Sequence, residues 1–215
     1  RGMMLVGTPD EKDDFRSQAH GFGLEELPPE EAIQKVPLLS PTQLGLAAFR
    51  EDVFDIDTDL LLQSFRRDAQ AHGAAIHTKA AVTAIDHQNG QWLITAGGEG
   101  HTANLLVNAA GAWADPIAGL AGIDPIGITP YRRSMARIPV PGGYDAREWP
   151  LLEGVNERWY AKPDAGQLLV SPADEDPMPP QDAWADDMVL ADGLARFEEI
   201  MCHPVERVTT NWAGL

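Results

Sequence analysis

Three small residues in a row, Ala109-Ala110-Gly111, are where residue type and spacing first suggest chemistry. An apolar run from Leu105 to Val107 precedes them and a mostly apolar stretch reaching Ile123 follows. The order predicts a buried strand, a tight turn and a helix. Side chains this small let the backbone lie against a ligand, and the start of a helix offers free N–H groups, which is how α/β proteins hold a nucleotide. The same turn also serves in ordinary strand-to-helix packing, so it carries no assignment by itself. A dinucleotide site normally adds G-x-G-x-x-G at the first helix and an acidic residue about 20 positions further on. Neither is present.

Other reactive groups offer less. The histidines, His20, His72, His77, His87, His101 and His203, show no metal-ligand spacing, and with Cys202 as the single cysteine a zinc site finds no support. Ser171 lacks the nucleophile-elbow context of a serine hydrolase. The carboxylates between Asp174 and Asp187 lie among prolines, without the apolar setting that raises a pKa for acid–base work, and are expected to form a solvated loop. No catalytic dyad stands out.

The elements that must position these residues follow from the pattern. Met3 to Gly7 (MMLVG) is expected to be a buried strand and to lead into a charged loop. PPEEAIQKVP carries a short helix, with prolines at its start and Pro37 stopping it. From Asp57 to Gly73 a longer helix is expected, capped by Asp57 or Thr58, with Leu61, Phe65 and Ala69 on one face. AAVTAID, QWLITAG and ANLLVNA, separated by Asn89-Gly90 and Gly97-Gly98, read as a three-stranded meander. Beyond it PYRRSMARIPV, RWYAKP and QLLVSP read as strands of a second, mostly antiparallel region. A helix over Met188 to Met201 and the strand ERVTTNWAGL complete the chain.

With 215 residues and 44% hydrophobic content, the chain has enough apolar side chain for a real core. Its net charge of −17 argues against nucleic acid or an anionic membrane as partner and in favour of a small molecule. The lone cysteine fits a reducing compartment, so a cytoplasmic protein is expected.

Read in order, AAVTAID, the meander, LLVNAAGAWA, RWYAKPDAGQLLVSPADE and RVTTNWAGL together resemble the FAD-dependent D-amino-acid oxidase superfamily, nearest its glycine oxidase and sarcosine oxidase-like branch. The resemblance covers nearly the whole chain. It implies an α/β fold with α+β character, the middle of a two-domain FAD oxidoreductase. Residues 1–50 and 130–212 would form the substrate domain, 51–129 part of the FAD-binding domain, and 213–215 the return toward it.

In that family a glycine-rich βαβ unit precedes the segment like Arg1-Gly2-Met3, and the pattern like WAGL continues with an arginine that binds the substrate carboxylate. A chain truncated at both ends is therefore expected. The resemblance implies cofactor contacts at Val82, Ala109, Ala110, Gly111 and Trp113, and substrate contacts at Tyr160 and near Asp174. Asp174 departs from the apolar residue that glycine oxidase has there. Arg133 is a second departure, since a glycine commonly follows the basic residue at Arg132. The implied cofactor is FAD and the implied reaction is oxidation of an amino acid or secondary amine by hydride transfer to flavin, with no metal. A flavoenzyme of the same architecture acting on a polyol phosphate or other non-amine substrate is one alternative. A non-catalytic binding domain is the other.

Overall fold

The computed structural model describes residues 1–215. Every residue of the first strand, β1 (Met3–Gly7), is buried, as its unbroken apolar run requires. Where a charged loop is expected, the chain instead forms α1 (Lys12–Phe22). Only Phe15 and Ala19, one turn apart, are buried on it, and so thin an apolar stripe leaves little periodicity to detect. There follow β2 (Glu25–Glu26), α2 (Pro29–Lys35), β3 (Leu46–Arg50) and α3 (Thr58–Ala71). The carboxylate of Asp57 caps α3 by accepting the Leu60 N–H at 2.8 Å. A meander comes next: β4 (Val82–Gln88), β5 (Gln91–Ala96) and β6 (Glu99–Ala103). After α4 (Ala114–Leu120) the chain continues through β7 (Tyr131–Pro139), β8 (Leu151–Gly154), β9 (Tyr160–Asp164), β10 (Gln167–Ser171), β11 (Asp176–Pro177), α5 (Asp187–Glu198) and β12 (Thr210–Gly214).

These elements divide into two compact units. The first takes in 1–55, 131–176 and 182–214; the second takes in 56–130 with 177–181 and residue 215. The first unit is built on a nine-stranded sheet in the order β11-β7-β10-β9-β8-β1-β3-β2, with β12 also paired to β7. β1 and β8 run parallel, whereas β7, β9, β10 and β12 pair antiparallel. One face of this sheet carries the main core, in which Met4, Ile138, Leu152, Ala161, Leu168 and Phe197 pack together. On the other face Leu5, Phe15, Ala19 and Val155 form a smaller core under α1. The β9, β10, β7 and β12 side of that second face is left more open, with Tyr160, Lys162, Met135 and Arg137 half-buried and Trp212 exposed.

The second unit holds the antiparallel sheet β4-β5-β6, in which Ile85 is the one buried hydrophobic residue. Its third strand lies earlier than the pattern suggests. Leu105 to Ala109 forms no strand, and Leu105 and Val107 are 78% and 74% exposed, where the sequence predicts a buried strand. A strand in the interior needs a paired neighbour to satisfy its backbone, and this segment has none. The expected apolar face of α3 is likewise exposed at Leu61 and Phe65. No helix is long and apolar enough to cross a membrane.

Candidate active site

Tyr160 opens β9 and alternates with the core residue Ala161, so it belongs to the second, partly open face of the large sheet. Register fixes its neighbours: Glu153 of β8 on one side and Ser171 of β10 on the other. One rung along, Lys162, Leu169 and Arg137 stand side by side on the same face. Both cations are engaged, Lys162 with Asp55 at 3.2 Å and Arg137 with Asp164 at 2.5 Å. The Arg137 guanidinium also lies over the Trp212 ring, 5.7 Å from its centroid. The result is a half-open floor with a phenol, an indole and two cations that face carboxylates, one of which Arg1 shares.

Asp174 is not on that floor. Its carboxylate accepts from Arg132 Nε at 3.0 Å and from the backbone N–H and hydroxyl of Ser134 at 2.6 and 2.8 Å. Arg132 and Ser134 share a face of β7 with Ile138, which points into the main core. Tyr160 faces the other way, so the two residues expected at the substrate do not converge. The side chains of Asp174 and Arg132 are only 5% and 11% exposed, which corrects the expectation of a wholly solvated acidic loop. Burial works to lower the Arg132 pKa, but Asp174, Asp176 and Asp186 outweigh it and hold the guanidinium above its usual value. Arg132 and Asp174 thus clamp the chain after β10 to β7. Arg133 points to the opposite face from Arg132 and pairs with Glu175 at 2.8 Å.

In the second unit, the turn Ala109-Ala110-Gly111 is braced by Asn108. That side chain accepts the Ala110 N–H at 3.2 Å and donates to the Ala114 carbonyl at 2.8 Å. Gly111 adopts φ +55°, and a Cβ there would meet nothing within 4 Å. Space above the turn is therefore open, and its small side chains and bared backbone fit a flat ligand lying against them. Trp113, 42% exposed, ends the short 3-10 turn that follows. Val82 is half-buried at the start of β4, beside the bulge between Val82 and Ala84. No three His, Cys, Asp or Glu side chains stand where they could hold a metal.

One residue that the sequence reading passed over belongs with Tyr160. Glu153 is 9% exposed, and its one hydrogen bond is a long 3.5 Å contact from Gln18 Nε2. Burial pushes its carboxyl up to about 7; nearby Glu157 adds to the rise and Arg133 opposes it. Gln18 is oriented in turn, because its Oε1 accepts the Asn156 N–H at 2.8 Å while Asn156 Nδ2 donates to Asp14 at 2.9 Å. Asn156 and Glu157 hold φ values of 61° and 53°, uncommon for residues with a side chain. A charged residue within the run Leu151-Leu152-Glu153-Gly154 was the available signal.

The family described as FAD dependent oxidoreductase (DAO) matches residues 1–215. Mitochondrial dimethylglycine dehydrogenase of Rattus norvegicus is 24% identical over 190 residues, covering 85% of this chain and 22% of that protein. Among solved structures, L-proline dehydrogenase from P. horikoshii superimposes with a TM-score of 0.78 at 21% identity, over 99% of this chain and 59% of that one. L-alpha-glycerophosphate oxidase from Mycoplasma pneumoniae with FAD bound gives 0.79 at 19% identity, over 99% and 60%. The chain thus spans about a fifth of the curated relative and three fifths of these structures.

Proposed function

Because this chain belongs to the DAO family of FAD-dependent oxidoreductases, we propose that the protein it forms part of oxidises an amino acid or a secondary or tertiary amine. The first unit would supply the substrate floor and the second a portion of the cofactor side. When bound, FAD supplies the hydride acceptor for a carbon–hydrogen bond next to nitrogen. Residues of the turn Ala109 to Gly111, with Val82 and Trp113, would hold it through backbone approach and apolar contact, for which the open space over Gly111 is suited. Little acid–base equipment is needed beyond a group to manage the amine proton, since the work of the protein is to orient the substrate carbon.

The observation that carries this reading is the position of Tyr160, a phenol on the partly open sheet face with its neighbours fixed by register. A tyrosine there can hydrogen-bond a substrate carboxylate or nitrogen while its ring excludes water. Dimethylglycine dehydrogenase and L-proline dehydrogenase, by their names, act on amines of this class. A polyol phosphate is the rival substrate, and Lys162 and Arg137 are the cations that would favour it. Both already face carboxylates, Asp55, which Arg1 shares, and Asp164, so a phosphate would have to compete with these for the cations, which favours the amine.

The test is an anaerobic screen of the full-length flavoprotein with dimethylglycine, sarcosine, proline and glycerol 3-phosphate, followed by bleaching of the flavin absorbance. An amine should bleach it. Tyr160→Phe should then lower kcat/KM for that amine by about 10- to 100-fold, the loss expected for one substrate hydrogen bond in a partly buried site. Bleaching by glycerol 3-phosphate alone, or an unchanged kcat/KM in Tyr160→Phe, would overturn the reading.

A further inference from the structure

We infer that Glu153 is the proton acceptor for the substrate amine in this protein, with Gln18 as its positioning residue; the inference rests on the amine reading above. A buried carboxyl beside an open floor is unusual, because an ionised group away from water is costly unless it is paired. Here no cation pairs with it directly. Its one partner is the neutral amide of Gln18, at 3.5 Å. Yet it stands in register with Tyr160 on the neighbouring strand, which puts the two side chains on the same face, about 5 Å apart at Cβ. A substrate hydrogen-bonded to Tyr160 would have its nitrogen within one strand spacing of the Glu153 carboxyl.

The surroundings suit that role on every side. From β1, Leu5 is its register partner and brings no charge. From α1, Gln18 faces it, and Asp14 is held away by its bond to Asn156. From the segment after β8, Glu157 adds negative charge, and from β7, Arg133 brings positive charge already shared with Glu175. Tyr160 is the titratable neighbour on β9. The balance leaves a carboxyl that is poorly stabilised as an anion and suited to take up a proton near neutrality.

The step balances simply. Substrate enters as an ammonium ion; one N–H bond breaks, an O–H bond forms on Glu153, and the electron pair stays on nitrogen. No electron is transferred in this step. The neutral amine that results is the form able to lose hydride from its α-carbon, because an ammonium nitrogen has no lone pair to stabilise the cation that forms.

The sign of the pH dependence follows. Glu153 must be a carboxylate to accept the proton, so kcat/KM should climb as pH rises through about 7 and level off above it. The experiment measures kcat/KM between pH 5.5 and 9, a range set about that value, with the amine that bleaches the full-length holoenzyme, for wild type, Glu153→Gln, Glu153→Asp and Gln18→Leu. Glu153→Gln should lose the limb near neutrality and fall about 100-fold at the plateau. Glu153→Asp should restore a limb, and Gln18→Leu should move it. Difference infrared spectra of the wild-type holoenzyme on adding the same amine give a reading that does not depend on the variants folding. A protonated-carboxyl band should appear on binding.

An unchanged limb in Glu153→Gln, or no carboxyl band in wild type, overturns the assignment of Glu153 while leaving amine oxidation standing. No bleaching by any amine overturns both.

Discussion

Asp174 shows what one buried charge can be asked to do. Its carboxylate accepts from Arg132 and from both donors of Ser134, so its bonds hold the chain to β7. Removing one partner of such a pair leaves the other charge buried and uncompensated, which typically costs about 3–5 kcal/mol. Asp174→Ala should therefore lower unfolding stability by about 3 kcal/mol, read as a shift of the urea midpoint at unchanged slope. Arg132 keeps its contact with Asp176 at 2.5 Å, so the loss should fall toward the lower end of that range. A shift under about 0.5 kcal/mol would mean that Asp174 is free to serve the substrate after all, since that is the size of an ordinary surface change. Tyr160, on the more open face, makes no ion pair of this kind, and its substitution should cost activity rather than stability.

At the scale of elements, α5 is held against the end of β10 through a close approach that only glycine permits. A Cβ on Gly193 would fall 2.6 Å from the Pro172 Cα, a backbone atom of a rigid residue that cannot swing aside. Gly193→Ala should cost about 1–3 kcal/mol as an overpacked contact, despite the better helix propensity of alanine. Thermal unfolding of the two proteins side by side measures it, and an equal or higher midpoint for the alanine variant would show that α5 can move. Such approaches are invisible in a sequence, because they depend on residues that meet only after folding.

The same limit explains which elements could be read in advance. β1, α2, α3, β7, β9 and β10 each carry a local signal: an apolar run, a proline-started turn, an Asp cap or strict alternation. α1 was missed because among DDFRSQAH only Phe15 and Ala19 turn inward. β8 was missed because four residues hold too short a pattern, and with it went Glu153, whose significance comes from the strand beside it. Motif order alone singled out Tyr160, whereas the partners of Asp174, Arg132 and Ser134, lie 42 and 40 positions away and no local pattern points to them.

For the molecule as a whole, the two units differ in how much they bury. The first has two apolar cores on either side of its large sheet. The second buries Ile85 alone among its hydrophobic residues and leaves Leu61, Phe65, Leu105, Val107 and Ile126 exposed. Local stability tracks buried apolar contact, since backbone hydrogen bonds open to water contribute little net free energy. In the 215-residue chain, amides of β4, β5 and β6 should therefore exchange with deuterium well before those of β1, β9 and β10. Mass spectrometry of peptic fragments reads both sets in one experiment. If FAD lies over the turn at Ala109 to Gly111, peptides spanning 105–113 should gain protection in the flavin-bound protein and lose it when the flavin is stripped. Uniform exchange across both units would show that the meander draws its stability from contacts beyond its own core. Unchanged protection of 105–113 on removing FAD would place the cofactor elsewhere.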